Sequence, residues 1–274
     1  MPHLRPSDCC GKVGSSETLR VVCSEKILNV NTLTRNAHKR APFFSHWLAG
    51  IIDGDGSLLV SRAGYSSCEI TVGEKEWQIL HKIKRQLGGA IAKRKGVGAL
   101  RWRLHNKKGM LALVNVINGK CLLKARQEQL EKVCAVLGVN CLPPAGFSPK
   151  NGWCAGFFEA EGYFHVNSTT LQCSVTLSQK NPLLLREICK FLPAPLFYDK
   201  SWNGWLYAAS SLADISCWLL YFSKFPLCSW KQIQLRRFKR IILYKARKVH
   251  LEKTGRSWKR LQRLVNEFMV NSAN

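Results

Sequence analysis

A twelve-residue segment of this sequence occurs twice, and the repeat constrains the fold more than any other feature. The first copy is WLAGIIDGDGSL at 47–58 and the second is WCAGFFEAEGYF at 153–164. An acidic residue lies near the end of each copy, and these two residues, Asp55 and Glu161, align at an offset of 106. Such a repeat predicts two similar structural units related by pseudo-twofold symmetry.

Two further matches keep nearly the same register. EITVGEK at 69–75 aligns with SVTLSQK at 174–180, and RQEQL at 126–130 aligns with KQIQL at 231–235, both at an offset of 105. A segment rich in proline and glycine separates the halves and is typical of a linker. The predicted organisation is an N-terminal arm or targeting segment (1–42), a first half (43–137), a linker (138–152) and a second half with basic C-terminal helices (153–274).

Both halves show the same order of predicted elements. An apolar helix that ends at the acidic residues is followed by two alternating segments, a helix, further strand-like segments around 99–106 and 204–211, and more helices. The alternation is typical of antiparallel sheets with one face on helices and the other face free. The predicted fold class is therefore α+β, with two pseudo-symmetric αββαββα units and a central interface between two helices.

The repeated apolar helices each contain an Ala-Gly pair, at Ala49-Gly50 and Ala155-Gly156. Residues this small allow two helices to pack backbone to backbone, although they also occur as ordinary core residues. Taken alone, the first acidic segment is typical of a turn, a calcium-binding loop or a catalytic metal site. If the helices pair, Asp55 and Glu161 come close together, and a divalent metal ion would relieve their repulsion.

The net charge restricts the partners of the chain. The sequence has 42 Lys and Arg against 17 Asp and Glu, a formal net charge of +25, which predicts a polyanionic partner. Nucleic acid is favoured over a membrane surface, since no apolar stretch is long enough for a transmembrane helix. The 12 cysteines are scattered, without a pair at zinc-finger spacing, which predicts reduced thiols and neither a zinc finger nor a disulfide framework.

Residues 224–263 carry 14 basic side chains and one acid, Glu252. Helical spacing places the following residues on an apolar side: Trp230, Ile233, Leu235, Phe238, Ile241 and Ile242. The opposite, basic side has two interpretations, a solvated face or a surface that contacts nucleic-acid phosphates. Arg126 and Lys231, which match between the halves, are the candidates for phosphate contact.

The sequences LAGIIDGDG (48–56) and CAGFFEAEG (154–162) resemble the signature of the LAGLIDADG homing endonucleases. The resemblance covers about residues 43–265 and is to the single-chain, two-motif subgroup encoded in organellar group I introns. It implies two saddle-shaped sheets that lie along the DNA major groove. It also implies that Asp55 and Glu161 bind divalent metal, with backbone carbonyls of Gly54 and Ala160 nearby. The expected cofactor is Mg²⁺, as two or more ions, and Ca²⁺ is expected to bind without necessarily supporting cleavage.

Three further residues are candidates for the chemistry. Lys75 and Lys180 follow equivalent strands near the presumed centre, where a cation would stabilise developing phosphate charge. Generic basic surface residues would show the same pattern. Gln179 precedes Lys180 and is a weaker candidate.

Base recognition is predicted on the free face of each sheet, where every second strand residue projects. A slip of one residue would invert the whole set. The predicted DNA-reading residues are Ser57, Leu59, Ser61, Glu69, Thr71, Arg101 and Arg103 in the first half and Tyr163, His165, Asn167, Ser174 and Thr176 in the second, with Trp102 and Leu104 turned inward.

The leading functional hypothesis is a metal-dependent DNA endonuclease that cuts both strands of a long asymmetric site. We expect it to act as a monomer, without a membrane or an obligate protein partner. The resemblance favours the mitochondrion, with the chloroplast as alternative. A second hypothesis is an RNA maturase that assists splicing of a group I intron, with or without residual cleavage. A third is a DNA-binding protein without catalytic activity.

Overall fold

A computed structural model of the protein describes residues 40–252 and 255–272. The predicted N-terminal arm therefore lies almost entirely outside the described residues. The repeat does appear in the described part as two successive units with the same order of helices and strands. This confirms the α+β class and the pseudo-symmetric arrangement expected from the sequence.

The first unit begins with the helix of the first motif. The helix that follows its sheet starts at an asparagine cap, since the Asn106 side chain accepts a hydrogen bond of 2.7 Å from Gly109 N. The elements are α1 (Arg40–Asp55), β1 (Gly56–Val60), β2 (Ser66–Gly73), a 3₁₀ turn (Glu74–Glu76), α2 (Trp77–Leu87), β3 (Ala90–Lys93), β4 (Ala99–Leu104), α3 (Lys107–Ile117) and α4 (Lys124–Leu137).

The second unit repeats this order and adds two helices at its end. Asn181 caps one helix through Leu183 N at 3.0 Å, and Pro182 occupies its first turn, as predicted. The elements are α5 (Trp153–Glu161), β5 (Gly162–Val166), β6 (Cys173–Gln179), α6 (Pro182–Cys189), β7 (Leu196–Asp199), β8 (Gly204–Ala209), α7 (Leu212–Lys224), α8 (Lys231–Ala246), α9 (Val249–Glu252) and α10 (Gly255–Ser272). Between α4 and α5, residues 138–152 form neither helix nor strand.

Each unit contains one antiparallel sheet of four strands, in the order β1-β2-β4-β3 and β5-β6-β8-β7. The sequence did not delimit the two edge strands, β3 and β7. Each has only four residues, most of them exposed, so neither shows the alternation that marked the longer strands. These edge strands complete the open faces of the two sheets.

The buried side of each sheet packs on helices. Trp102 and Leu104 are fully buried, which confirms their predicted inward orientation. On α8, Leu235, Phe238, Ile241 and Ile242 are buried as predicted, but Ile233 is 38 % exposed. Ile233 lies in the first turn of the helix, and its exposure shows that its assignment to the apolar side was wrong.

The two motif helices, α1 and α5, form the central interface. A Cβ atom added to Gly50 would lie 2.1 Å from Trp153 O, and one added to Gly156 would lie 1.9 Å from Trp47 O. No side chain of any size fits at these two positions, so the helix backbones are in direct contact. The predicted pairing of the Ala-Gly segments is confirmed.

The described residues also bear on membrane association and on thiol chemistry. Among the described helices, none is both long and apolar enough to cross a bilayer. The nine described cysteines are all free thiols, and five of them are buried. No disulfide joins any of these nine cysteines, and the redox state of the thiols stays a prediction.

Candidate functional site

The last acid of each motif ends its helix, and the packing of α1 on α5 brings these two acids together. Asp55 is the final residue of α1, and Glu161 is the final residue of α5. Between them the backbones approach closely, since a Cβ on Gly54 would lie 2.3 Å from Ala160 Cβ and 3.2 Å from Glu161 Cγ. The structure thus places two carboxyl groups, one from each half, at the end of the central interface.

Burial dominates the electrostatics of this acid pair. Removal from water raises the pKa of Asp55 from 3.8 to about 7, although the nearby Lys231 cation lowers it. The negative charge of Glu161 raises the pKa of Asp55 further. Burial also raises the pKa of Glu161, against the effects of Lys231 and of a hydrogen bond from the Gln179 side chain. Because both carboxyl groups are costly to ionise in this place, a bound cation would be favourable beside them.

The raised pKa of Asp55 predicts a specific pH dependence of stability without metal. The folded protein holds this proton up to about pH 7, whereas the unfolded chain releases it near pH 3.8, so stability falls as pH rises between these values. In EDTA, we expect the stability of Asp55→Asn to fall less with pH than that of wild type. At pH 8 the variant should be more stable than wild type by roughly 1–3 kcal/mol. Urea unfolding of both proteins at pH 5 and pH 8 measures the difference, and parallel declines would contradict the prediction.

The other acid of each motif has a structural task that the sequence analysis did not assign. Asp53 is buried and accepts hydrogen bonds from Leu122 N at 2.7 Å, Leu123 N at 3.2 Å and Trp153 Nε1 at 2.8 Å. It therefore fixes the segment that leads into α4 and also ties the two halves together. The sequence feature that could have indicated this task is the alignment of Asp53 with Glu159 in the repeat.

Glu159 does the equivalent work in the second half. It is fully buried and accepts hydrogen bonds from Cys228 N, from Ser229 N at 3.1 Å and from the Ser229 hydroxyl, just before α8. Burial raises the pKa of Glu159, and these hydrogen bonds oppose that effect. The inner acid of each motif thus anchors the helix that follows its sheet.

The two anchored helices, α4 and α8, each place a basic side chain at the end of a motif helix. Arg126 Nε donates to Ile52 O at 2.9 Å, and Lys231 Nζ donates to Glu159 O at 2.6 Å and to Phe158 O at 3.3 Å. Basic groups are favourable there because they neutralise the negative end of the helix dipole. The phosphate contact expected for Arg126 and Lys231 stays a prediction, but both side chains are already bonded to helix carbonyls.

Loss of the Asp53 carboxylate is expected to destabilise the protein. Asp53→Ala leaves two backbone amides and one indole N–H without their acceptor, which costs roughly 2–4 kcal/mol. Asp53→Asn retains one carbonyl oxygen for these donors and should cost clearly less. Urea denaturation at pH 7 compares the two variants with wild type, and equal losses in both would show that the hydrogen bonds are not what matters.

The three remaining catalytic candidates lie at the ends of equivalent strands. Lys75 is exposed in the 3₁₀ turn after β2, and Lys180 is exposed directly after β6. Gln179 is the last residue of β6 and hydrogen-bonds to Glu161. Of the three, the structure joins Gln179 to the acid pair, although the sequence marked it as the weakest candidate.

The donor set at the acid pair suits a hard divalent cation. Carboxylate oxygens are the ligands that Mg²⁺ and Ca²⁺ prefer, and Mg²⁺ is commonly held by one or two carboxylates, with water and phosphate oxygens completing its shell. Within residues 40–252 and 255–272, no group of three or more His, Cys, Asp or Glu side chains could hold a metal ion by itself. Asp55 and Glu161 therefore supply ligands that such an ion prefers, and its remaining ligands would come from other groups.

The register of the first sheet agrees with the predicted parity of its open face. Ser57 pairs with Glu69, Glu69 with Arg103, and Thr71 with Arg101, so these residues share one face. Glu69 forms ion pairs of 3.3 Å with Arg101 and 3.1 Å with Arg103. The two arginines thus already have an acidic partner on this face, which the sequence analysis did not foresee.

The second sheet differs more from the expectation. Tyr163 and His165 are exposed, but Ser174 is only 9 % exposed and Thr176 only 3 %. These short side chains lie on a central strand directly opposite His165 and Tyr163, and the Thr176 hydroxyl donates to Tyr163 O at 2.9 Å. The register thus places Ser174 and Thr176 on the predicted face, but neighbouring residues cover their short side chains, and base recognition by them stays a prediction.

Turn positions and edge strands account for the other differences. Leu59 is exposed on β1, as predicted, whereas Ser61 and Asn167 follow their strands and accept hydrogen bonds from the turns, from Tyr65 N at 3.0 Å and Thr170 N at 2.8 Å. Because β3 and β7 were not delimited, further open-face residues were missed. They include Ala90, Ala92 and Phe197, and Leu206 of β8, which pairs with Phe197, was missed as well.

Comparison with known proteins identifies relatives for both halves. The family model for the LAGLIDADG endonuclease matches residues 48–137 and 154–242. The chain is 36% identical over 170 residues to the intron-encoded RNA maturase bI4 of Saccharomyces cerevisiae, a match covering 59% of this chain and 26% of that protein. It is 32% identical over 231 residues to the probable intron-encoded endonuclease aI2 of Debaryomyces hansenii, covering 77% and 35% respectively. The chain thus spans about a quarter to a third of the length of these two relatives.

Solved structures show the same fold. The homing endonuclease I-LtrWI bound to its target DNA matches with a TM-score of 0.63 and 20% identity, covering 82% of this chain and 97% of that one. I-SmaMI bound to uncleaved DNA in the presence of calcium ions matches with a TM-score of 0.61 and 17% identity, covering 80% and 97%. At these identities the likeness establishes the architecture alone.

Proposed function

The chain belongs to the LAGLIDADG endonuclease family, and on this premise we propose that it is a divalent-metal-dependent endonuclease that cuts both strands of a long, asymmetric DNA site. The observation that carries the proposal is the acid pair, in which each half supplies one partly buried carboxyl group to a shared centre at the end of the central helices. Both halves are contained in one chain, so the proposed working unit is the monomer.

In this proposal, Asp55 and Glu161 hold Mg²⁺, and the backbone carbonyls of Gly54 and Ala160 lie beside them. The ion would supply an activated water and stabilise the leaving oxygen of an in-line displacement at phosphorus. Gln179 orients the Glu161 carboxylate. Arg126 and Lys231 hold the helix ends and keep positive charge near the acids when no metal is bound. Lys75 and Lys180, exposed after equivalent strands, are proposed to stabilise phosphate charge during cutting.

The open faces of the two sheets are proposed to read the target sequence. Exposed Tyr163 and His165, together with Arg101 and Arg103, supply donors and stacking surfaces for base edges. Glu69 holds both arginines in fixed positions before DNA binds, which favours a defined pattern of contacts over nonspecific attraction. The large positive charge supplies the salt-dependent part of the affinity.

The test of this function is cleavage of a duplex that spans the exon junction of an intronless allele of the host gene. Purified protein is expected to cut both strands with Mg²⁺ and to bind the same duplex with Ca²⁺, with cutting reduced or absent. If Mg²⁺-dependent cutting fails although the duplex is bound tightly, the protein is a DNA-binding protein without nuclease activity.

One observation favours RNA maturase activity as a second candidate function. The outer helix α10 carries exposed Arg256, Lys259, Arg260 and Arg263. It packs on α8 through Phe268 and Phe238, and Phe238 packs on the buried face of β5. This basic surface therefore faces away from the open sheet, where it is free to contact RNA. Splicing of the host intron RNA with and without the protein tests this function.

The cellular location follows from the proposed biology. We propose the mitochondrion, with the chloroplast as the alternative, because the relatives of this chain are named as intron-encoded proteins. Fractionation of cells that express the natural gene, followed by detection of the protein in the organelle, tests the assignment.

A further inference from the structure

The two halves differ in charge at the turn that follows their second strand. The repeat aligns Glu74, Lys75 and Glu76 of the first half with Gln179, Lys180 and Asn181 of the second. Two carboxylates in one half thus correspond to two amides in the other. A centre that looks symmetric in its helices is therefore asymmetric in its surrounding charges.

The two extra carboxylates have different environments. Glu74 is exposed and forms an ion pair of 2.7 Å with Lys93 of the same sheet. Glu76 is 22 % exposed, and its Oε1 lies 3.6 Å from Nζ of Lys231, which is 13 % exposed. The Glu76–Lys231 pair therefore joins the first half to the second at a partly buried position, where charge interactions are screened less than at the surface.

Among the cations that act on Asp55 and Glu161, Lys231 has the largest effect on their pKa values. Its charge lowers the pKa of Asp55 and of Glu161, while its ammonium group is bonded to Glu159 O. Glu76 has the opposite effect on Asp55, because its negative charge raises that pKa. Glu161 instead has an uncharged neighbour, Gln179, as hydrogen-bond donor.

The residue equivalent to Glu76 has a different task. The Asn181 side chain accepts a hydrogen bond from Leu183 N at 3.0 Å and caps α6. Glu76 also precedes a helix, α2, but its side chain forms no capping hydrogen bond there. Its carboxylate is thus committed to Lys231 rather than to its own helix.

We propose that Glu76 is a positioning residue of the metal centre, which holds Lys231 in an ion pair and adds negative charge on the Asp55 side. This inference rests on the proposed endonuclease function. Its consequence is that the Asp55 side of the centre holds a divalent cation more tightly than the Glu161 side. The two strands of the target are then cut at unequal rates at limiting Mg²⁺.

The first test is binding of Mn²⁺ to the full-length protein, measured from the free-ion signal in electron paramagnetic resonance. Glu76→Gln removes the charge and frees Lys231, so Mn²⁺ binding should weaken by about three- to tenfold. Glu74→Gln makes the same change in net charge two residues away and should stay within about twofold of wild type. Equal affinities of the two variants, or no Mn²⁺ binding by wild type, would overturn the inference.

The second test is a strand-specific readout that a general loss of stability would not change. With each strand of the target duplex labelled separately, the ratio of the two nicking rates at limiting Mg²⁺ should change by about threefold or more in Glu76→Gln. A variant that is merely less stable would slow both strands in proportion, and an unchanged ratio would overturn the inference. If wild type cuts neither strand while Glu76→Gln still weakens Mn²⁺ binding, the proposed nuclease function fails and the role of Glu76 at the cation site stands.

Discussion

Asp55→Asn and Glu161→Gln are each expected to reduce double-strand cleavage by about a thousandfold or more, because each removes a carboxylate charge that the metal centre needs. Both substitutions keep the size of the side chain, and both acids lie at the contact of α1 with α5. The other acid of each motif cannot replace the lost one, since Asp53 and Glu159 are buried and anchor the following helices.

The measurement is single-turnover cleavage of the target duplex with Mg²⁺, accompanied by duplex binding in Ca²⁺. Binding should stay within about tenfold of wild type, because most of the affinity comes from the basic surface and the open sheet faces. Full cleavage by Asp55→Asn would show that the metal assignment is wrong. Circular dichroism checks that each variant is folded. If one variant is unfolded, cleavage by the other, folded variant decides the question.

Gly156→Ala is expected to have the largest effect on stability of any single methyl addition in the described chain. The new Cβ would lie 1.9 Å from Trp47 O and 3.1 Å from Ile51 N, and both neighbours are backbone atoms that cannot rotate away. Separation of the central helices should cost about 3 kcal/mol or more, well above the gain of roughly 1 kcal/mol in helix propensity. Thermal unfolding should then begin about 6–12 °C lower.

A matched glycine serves as control for this prediction. Gly73 has an ordinary extended backbone with φ −60°, and a Cβ added there meets no heavy atom within 4 Å. Gly73→Ala should therefore change the stability by no more than about 0.5 kcal/mol. If the two variants unfold at the same temperature, the close backbone packing of α1 on α5 does not contribute to stability as described.

The large features of the fold were predictable from the sequence because the repeat reports them twice. The paired helices, the two sheets and the inward orientation of Trp102 all follow from spacing and alternation, and the structure confirms them. The edge strands β3 and β7 were not predictable in the same way. Four exposed residues carry too few apolar positions to reveal a period, and their pairing depends on strands that are distant in sequence.

The site was predictable to the extent that it depends on the repeat. The meeting of Asp55 with Glu161 follows from pairing two equivalent helix ends. The task of Asp53 was not predicted, because its donors at Leu122 and Leu123 lie about 70 positions away in the chain. Burial of Ser174 and Thr176 was missed for a related reason, since parity gives the face of a strand residue but not the size of its neighbours.

The most direct test of the metal centre is the position of Mn²⁺ in crystals of the protein bound to its target duplex, located by anomalous diffraction. The structure predicts anomalous density between Asp55 and Glu161, within about 2.0–2.5 Å of carboxylate oxygens from both halves. Mn²⁺ bound elsewhere, with these carboxylates free of metal beside an intact duplex, would contradict the assignment of the acid pair as the cutting centre.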